Sequence, residues 1–132
     1  MNKISGKISQ IESDKYISLV GVDTKIGRFY SLIVETPETA DYLKIGNKVN
    51  LLFKETEVEI LKNCYSEKNL NTFEGNIFKI QKGKVLSKIF IKNENLEIVS
   101  VSTTKGIELL EITESQKIFF YIKPNEIVIE AL

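Results

Sequence analysis

Short runs in which apolar and polar residues alternate make up most of this chain, and turn sequences such as Glu12–Lys15 and Asp23–Gly27 separate them. Runs of this length and period predict β-strands, because alternate side chains of a strand point to opposite faces of a sheet. The predicted strands are Lys3–Leu19 (as one or two strands), Arg28–Val34, Lys48–Phe53, Glu57–Leu61, Phe73–Ile80, Val85–Ile91, Leu96–Val101, Ile118–Ile122 and Ile127–Ile129.

Two segments between these strands carry the signals of short helices. In the first, Thr36 is placed to cap a helix that begins at Pro37 and ends near Gly46. The second is predicted over Lys105–Leu110. Each half of the chain is therefore expected to hold several short strands and one short helix.

The pattern of the first half recurs in the second half at a constant offset. Lys54 follows an apolar run and precedes a polar break, and Lys123 does the same 69 residues later. The starts of the halves agree at that offset: Asn2, Gly6, Ile8 and Ile11 recur as Asn71, Gly75, Ile77 and Ile80. An equal offset at both ends indicates an internal duplication.

The duplication predicts two domains, residues 1–62 and 71–132, joined by a polar linker over residues 63–70. Five short strands and a helix in about 60 residues are typical of a small OB-type barrel. The predicted fold class is all-β, with two tandem five-stranded OB-like barrels that each carry one short helix. Within the strands, Gly6 and Gly75 suit a β-bulge.

Composition excludes several kinds of chemistry. The 132 residues include 18 basic and 18 acidic side chains, one cysteine (Cys64) and no histidine. A histidine general base is therefore excluded. The chain also lacks the ligands of an ordinary zinc site and the second cysteine that an internal disulfide needs. The zero net charge disfavours a large phosphate-binding surface. Neither a signal peptide nor an apolar run of membrane-spanning length is visible, so we expect a soluble cytoplasmic protein.

The ordered motifs of both halves resemble those of the Mop (TOBE-type) molybdate-binding domain. The second half matches its opening run at Asn71–Ile77, its Ile-Thr position at Ser102-Thr103, its leucine turn at Leu110–Ile112 and its closing run at Ile122–Ile127. The first half matches the closing run at Phe53–Val58 and echoes the leucine turn at Leu43–Gly46. The resemblance covers nearly the whole chain. Tandem Mop pairs occur in molybdate-storage molbindins and in the effector half of the molybdate-responsive transcription regulator.

The chain departs from the family pattern at several positions. The family's arginine falls on Met1 in the first half and on Leu70 in the second, and a family serine falls on Lys68. In the first half, the family's Thr-x-x-Ser element aligns as Thr36 and Thr39 only with a two-residue gap. Without a gap, Val34 takes the place of the threonine. Some of the family's sites are therefore expected to be altered, and Lys68 is a substitute for the missing positive charge.

The resemblance implies molybdate or tungstate as ligand, bound by backbone N–H groups, hydroxyls and one or two cations. One predicted site combines Thr36, Thr39 and the start of the helix at Pro37 with Lys54. The other combines Thr103, Thr104 and the start of the helix near Lys105 with Lys123. The candidate oxyanion-binding residues are Lys54, Thr56, Thr36, Thr39, Lys123, Asn125, Thr103, Ser102, Lys68 and Asn71. Glu55 and Glu126 would repel a dianion and are expected to point away.

The structural alternatives to a ligand role remain open for each candidate. Thr36 and Thr103 are also suited to helix capping, Lys54 and Lys123 to exposed strand breaks, and Asn71 to a turn or a structural hydrogen bond.

The resemblance also implies a homo-oligomer with sites at subunit interfaces, trimeric for the storage type and dimeric for the regulator type. The implied function is non-enzymatic oxyanion binding in intracellular storage, homeostasis or sensing, with no membrane and no direct nucleic-acid partner. Two alternatives remain. One is an OB-type nucleic-acid-binding module that uses Lys25, Arg28, Phe29 and Tyr30. The other is a ligand-free regulatory or oligomerisation domain of a transcription regulator or transporter.

Overall fold

A computed structural model describes residues 1–63 and 70–132, which form an all-β protein. The strands in these residues are β1 (Asn2–Asp14), β2 (Ile17–Thr24), β3 (Gly27–Ile33), β4 (Lys48–Phe53), β5 (Glu59–Leu61), β6 (Thr72–Lys82), β7 (Leu86–Asn93), β8 (Leu96–Thr103), β9 (Lys117–Tyr121) and β10 (Val128–Ala131). One α-helix, α1 (Thr104–Leu109), and two 3₁₀ turns, Glu55–Glu57 and Pro124–Glu126, accompany them. No helix in the described residues is long and apolar enough to span a bilayer.

The chain forms two compact units whose boundaries differ from those of the sequence repeats. Unit one comprises Met1–Phe53 together with Lys123–Leu132, and unit two comprises Lys54–Ile122. The closing segment of each repeat therefore belongs to the unit built mainly from the other repeat. The boundaries lie at residues 53/54 and 122/123. Most of the predicted linker at residues 63–70 lies outside the described residues and stays a prediction.

Each unit contains one antiparallel five-stranded sheet. The strand order is β10–β4–β1–β2–β3 in unit one and β5–β9–β6–β7–β8 in unit two. In unit one, the Ser31 hydroxyl on end strand β3 donates a 2.6 Å hydrogen bond to the carbonyl oxygen of Ile127, just before end strand β10. In unit two, Ser100 on β8 makes the equivalent 2.7 Å bond to the Val58 carbonyl, just before β5. Closure of each sheet into an OB-like barrel stays a prediction.

The core of each unit follows from the period-two pattern of its strands. In β2, for example, Ser18, Val20 and Val22 are buried on one face. The fully buried side chains include Ile8, Phe29, Leu51 and Phe53 in unit one, and Ile77, Ile89, Ile91, Ile98, Ile118 and Phe120 in unit two. Burying each of these side chains contributes about 1.5–3 kcal/mol relative to leaving it exposed.

A bulge at equivalent positions confirms that the 69-residue offset holds without gaps. The ladder register shifts between Ile8 and Gln10 in β1, and between Ile77 and Lys79 in β6. The N–H of Ile8 bonds to the Asn47 carbonyl at 2.9 Å, and that of Ile77 bonds to the Gln116 carbonyl at the same distance. The loops that follow β3 and β8 therefore have equal length.

The bulges do not lie at Gly6 and Gly75, as the sequence had suggested. Glycine is required at these positions by close packing. A Cβ on Gly6 would lie 2.5 Å from Cγ1 of Val22 and 2.8 Å from the carbonyl oxygen of Asp23. A Cβ on Gly75 would overlap Cγ2 of Ile91 in the same way.

One of the two predicted helices forms. Helix α1 spans Thr104–Leu109, close to the predicted Lys105–Leu110. The prediction of a helix from Pro37 is wrong, because residues 37–42 form turns. There the N–H groups of Thr39 and Ala40 both bond to the Thr36 carbonyl at 2.9 Å, which makes a single turn and not a helix.

Candidate functional site

Two equivalent 3₁₀ turns present the candidate lysines. Lys54 precedes the turn Glu55–Glu57 in unit two, and Lys123 precedes the turn Pro124–Glu126 in unit one. Both lysines have extended backbone, with φ/ψ of −72°/148° and −61°/138°. Both side chains are exposed, and neither amine has a carboxylate partner among residues 1–63 and 70–132.

Exposure alternates along each turn. Lys54 and Thr56 are exposed while Glu55 and Glu57 are half-buried. In the equivalent turn, Lys123 and Asn125 are exposed while Pro124 and Glu126 are half-buried. The side chains able to donate hydrogen bonds therefore face solvent more fully than the carboxylates. The direction of the Glu55 and Glu126 carboxylates relative to a bound anion stays a prediction.

In unit two the turn after Lys54 packs against the hydroxyl-bearing end of β8. Ser100 is fully buried and bonds to the carbonyl of Val58, the residue that ends this turn. Its hydroxyl also lies 3.2 Å from that of Ser102, which is half-buried. Unit two thus brings the segment Lys54–Val58 to the strand that carries Ser102 and Thr103.

In unit one the equivalent turn packs against a more apolar end of β3. Ser31 bonds to Ile127 as Ser100 bonds to Val58. Beyond Ser31, however, Ile33 and Val34 occupy the positions 69 residues before Ser102 and Thr103. Unit one therefore lacks the pair of hydroxyls that unit two has at the end of its strand.

The exchange of closing segments changes the predicted pairing of site residues. The sequence predicted Lys54 and Thr56 together with Thr36 and Thr39, whereas the structure places them in unit two with Ser102 and Thr103. Conversely, Lys123 and Asn125 belong to unit one with Thr36 and Thr39. The prediction failed because closing segments with the same pattern fit either unit.

The hydroxyls of Thr36 and Thr39 are used mainly within their own turn. The Thr39 hydroxyl accepts the N–H of Thr36 at 2.9 Å and donates to the Thr36 carbonyl at 3.2 Å. Thr36 itself is buried. No helix begins here, so the predicted set of N-terminal helix donors does not form. The ungapped offset also makes Val34, not Thr36, the equivalent of Thr103.

The hydroxyls beside α1 have structural partners. Thr103 caps the helix, accepting the N–H of Gly106 at 3.1 Å. Thr104 donates to the Gly83 carbonyl at 2.7 Å and lies 2.8 Å from the hydroxyl of Ser87. Both therefore stabilise the end of β8 and the start of α1.

The remaining candidates have different outcomes. Asn71 is buried, and its Nδ2 donates to the carbonyl of Ile122 at 3.0 Å, which ties the start of β6 to the end of β9. Lys68 and Cys64 lie outside the described residues. In the described residues, no group of three or more His, Cys, Asp and Glu side chains is placed to bind a metal ion.

The structure does not form the nucleic-acid platform suggested around Phe29. The Phe29 ring is fully buried and lies 6.2 Å from the ring of Phe53, so it cannot stack on a base. The guanidinium of Arg28 donates to Asp23 at 2.7 Å. This bond to Arg28 holds the pKa of the Asp23 carboxyl below its usual value.

The buried serines Ser31 and Ser100 were missed as organisers of the site. Each fixes a candidate turn by bonding to the carbonyl at its end. A signal for them exists in the sequence, because they lie 69 residues apart like the two lysines. Burial of a hydroxyl on the inner face of a strand is, however, a property of the folded sheet.

The chain matches no protein family, and no curated protein resembles it in sequence. Among solved structures, it resembles that of the cytoplasmic molybdate-binding protein ModG, determined with molybdate bound. The TM-score is 0.91 and the identity is 17%, over 99% of this chain and 96% of that one. The two proteins share a fold. At 17% identity the likeness shows the architecture alone.

Proposed function

We propose that this protein binds molybdate or tungstate without catalysis and acts in cytoplasmic storage, homeostasis or sensing of the oxyanion. The observation that carries the proposal is the likeness to molybdate-bound ModG over 99% of the chain. The Mop-type motifs in the sequence support it independently, because they come from residue types rather than from the shape of the backbone.

The residues around Lys54 suit a tetrahedral dianion. Lys54 supplies an exposed ammonium without a carboxylate partner in the described residues, and Thr56 and Ser102 supply hydroxyls. Charge-assisted hydrogen bonds of this kind are about twice as strong as neutral ones. Lys123 and Asn125 form the equivalent set in unit one. There Ile33 and Val34 replace the two hydroxyl positions, so we assign the tighter binding to the set around Lys54.

Each set is open to solvent, which supports sites completed by a second copy of the chain. An exposed lysine and two hydroxyls can approach an oxyanion from one side only, so the oxygens on its other side need further donors. We therefore propose a homo-oligomer, a trimer or a dimer, with the oxyanion at subunit interfaces. The family's arginine is absent at Met1 and Leu70, so lysine takes a larger share of the charge here.

Calorimetric titration tests the proposal. Sodium molybdate and sodium tungstate are titrated into the protein, with sodium sulfate as the control anion of equal charge and shape. We expect binding of the first two and none of sulfate. Lys54→Ala should weaken binding more than Lys123→Ala. Lys44→Ala, which removes another exposed lysine, should leave binding unchanged.

Two results would overturn the proposal. An absence of heat with every oxyanion would favour the ligand-free oligomerisation domain. Equal binding of sulfate would mean that a general anion site, not a molybdate site, is present. Binding of single-stranded nucleic acid that weakens steeply with salt would instead support the OB-type module.

A further inference from the structure

The outer face of the β1–β2–β3 sheet exposes an apolar patch rimmed by acidic residues. The register places Glu12, Leu19 and Leu32 side by side in one row across the three strands. In the next row on the same face, Asp14 lies beside Ile17, and Val34 is the residue directly after β3. Ile17 is 47% exposed and Val34 is 81% exposed. We call these six residues the acidic face.

The corresponding face of the β6–β7–β8 sheet is apolar and basic. Its rows are Lys79–Phe90–Val99 and Gln81–Lys88–Val101, followed by Leu86 beside Thr103. Leu86 is 54% exposed, and Phe78, which packs 6.0 Å from Phe90, is 43% exposed. We call Phe78, Lys79, Lys88, Phe90, Leu86 and Val101 the basic face.

The two faces occupy equivalent positions in the duplication but carry opposite charges. Glu12 and Asp14 correspond to Gln81 and Gly83, so both carboxylates are lost in the second repeat. Gln10 and Leu19 correspond to Lys79 and Lys88, so two ammonium groups are gained. The formal net charge of the chain nevertheless stays at zero. The two faces therefore differ in charge, although the protein as a whole has no net charge.

The grooves beside the two faces continue the same polarity. The groove beside the acidic face, with a volume of about 470 Å³, includes Glu35 and Glu38 against one lysine, Lys15. The groove beside the basic face, with a volume of about 450 Å³, is lined by Lys82 and Lys88, and the amine of Lys82 is paired with the carboxylate of Glu108 at 3.0 Å. Large exposed apolar side chains ringed by charge are typical of protein-interaction surfaces.

We infer that the acidic face of one copy binds the basic face of a second copy. Apolar side chains at the centre of each face would exclude water, while Glu12 and Asp14 of one copy would meet Lys79 and Lys88 of the other. Either face opposed to its own copy would bring like charges together, so the contact must join the acidic face to the basic face. This inference rests on the proposed homo-oligomer and names the surfaces that would join its subunits. It does not depend on the ligand, because the experiment measures the mass of the assembly and not molybdate binding.

Charge reversal tests this contact. Sedimentation equilibrium at micromolar concentration should show an oligomer of the native chain. Glu12→Lys with Asp14→Lys makes both faces basic, and Lys79→Glu with Lys88→Glu makes both faces acidic. Each double variant should weaken association about tenfold or more, because like charges then meet. Mixing the two variants should restore association, because each then offers the face that the other needs.

Controls separate this contact from other effects. Lys44→Glu with Lys48→Glu changes the net charge as much as the Lys79 and Lys88 pair and should leave the oligomer intact. Lys79 also lies 5.3 Å above the Phe90 ring, so Lys88→Glu alone provides a variant without loss of that contact. Circular dichroism checks the fold of each variant.

Three outcomes would overturn the inference. These are a native chain that is monomeric at micromolar concentration, double variants that associate as the native chain does, and mixed variants that stay apart. If the native chain binds a single-stranded oligonucleotide and Lys79→Glu/Lys88→Glu does not, while the oligomer is unchanged, the basic face would bind nucleic acid instead of a second copy. Calorimetry with molybdate on the same samples shows separately whether the ligand proposal holds.

Discussion

The hydroxyl of Ser100 donates a 2.7 Å hydrogen bond to the carbonyl oxygen of Val58, which lies 42 residues earlier in the chain. Ser31 and Ile127 repeat this relationship in unit one across 96 residues. All of these residues are buried. Each bond therefore joins the end of a candidate binding turn to the far edge of its sheet.

We expect Ser100→Ala to lower the free energy of unfolding by about 1–3 kcal/mol, because the buried carbonyl of Val58 loses its hydroxyl partner. Urea denaturation followed by circular dichroism measures this change. Ser102→Ala, at a half-buried position on the same strand, should have a smaller effect. Equal effects of the two substitutions would contradict the role assigned to Ser100.

Gly6→Ala is expected to destabilise the protein by about 1–3 kcal/mol, because the added methyl group would overlap Val22 and the backbone oxygen of Asp23. Gly46→Ala is the comparison. No atom lies within 4 Å of a Cβ at Gly46, so only its φ of +94° opposes the substitution. Thermal unfolding should therefore show a fall in Tm for both variants, caused by steric overlap in Gly6→Ala and by backbone strain in Gly46→Ala. The packing explanation fails if Gly6→Ala unfolds like the native protein.

Ser102→Ala should weaken oxyanion binding at the sites that depend on Lys54 by about threefold to tenfold, the effect of one lost hydrogen bond. Calorimetry with molybdate measures the change. Thr113→Ala is the control, since this hydroxyl is exposed in the loop after α1 and lies near Gln116. Unchanged affinity in Ser102→Ala would remove Ser102 from the site.

Stability at alkaline pH should depend on Tyr42. Its hydroxyl donates to Glu35 at 2.7 Å, and partial burial, with this bond, raises the pKa of Tyr42 above its usual value of about 10. A raised pKa stabilises the fold while the group is protonated. That contribution is complete below about pH 10 and declines as the pH rises further.

Tyr42→Phe should therefore lower the free energy of unfolding by about 1 kcal/mol at pH 8. The difference from the native protein should shrink above about pH 10, where the native chain loses the contribution of Tyr42. Urea denaturation at pH 8 and pH 10.5 measures both values. A difference that stays constant across this range would exclude the linkage.

Much of the fold was predictable, because strand patterning depends on local alternation. The strands, the helix at α1 and the 69-residue offset all follow from the order of apolar and polar residues. The segment from Pro37 was predicted wrongly, because the capping signal of Thr36 is the same in a turn and in a helix. There the hydrogen bonds between Thr36 and Thr39 are satisfied without a helical ladder.

The pairing of the site residues was not predictable, for a physical reason. The segments that follow Lys54 and Lys123 have the same alternation, so either could complete either sheet. The choice depends on three-dimensional contacts such as the bond from Ser31 to Ile127, which no local pattern contains. The charge difference between Lys79 and Gln10, by contrast, can be read directly from the sequence once the offset is known.

The exchanged closing segments also determine the order in which a newly made chain can finish folding. Unit two consists of Lys54–Ile122, so all of its residues leave the ribosome before Lys123. Unit one begins first, but β4 has no partner at its outer edge until β10 has been synthesised. The N-terminal unit is therefore completed last, and until then it presents an unpaired strand edge, the kind of surface on which nascent chains aggregate.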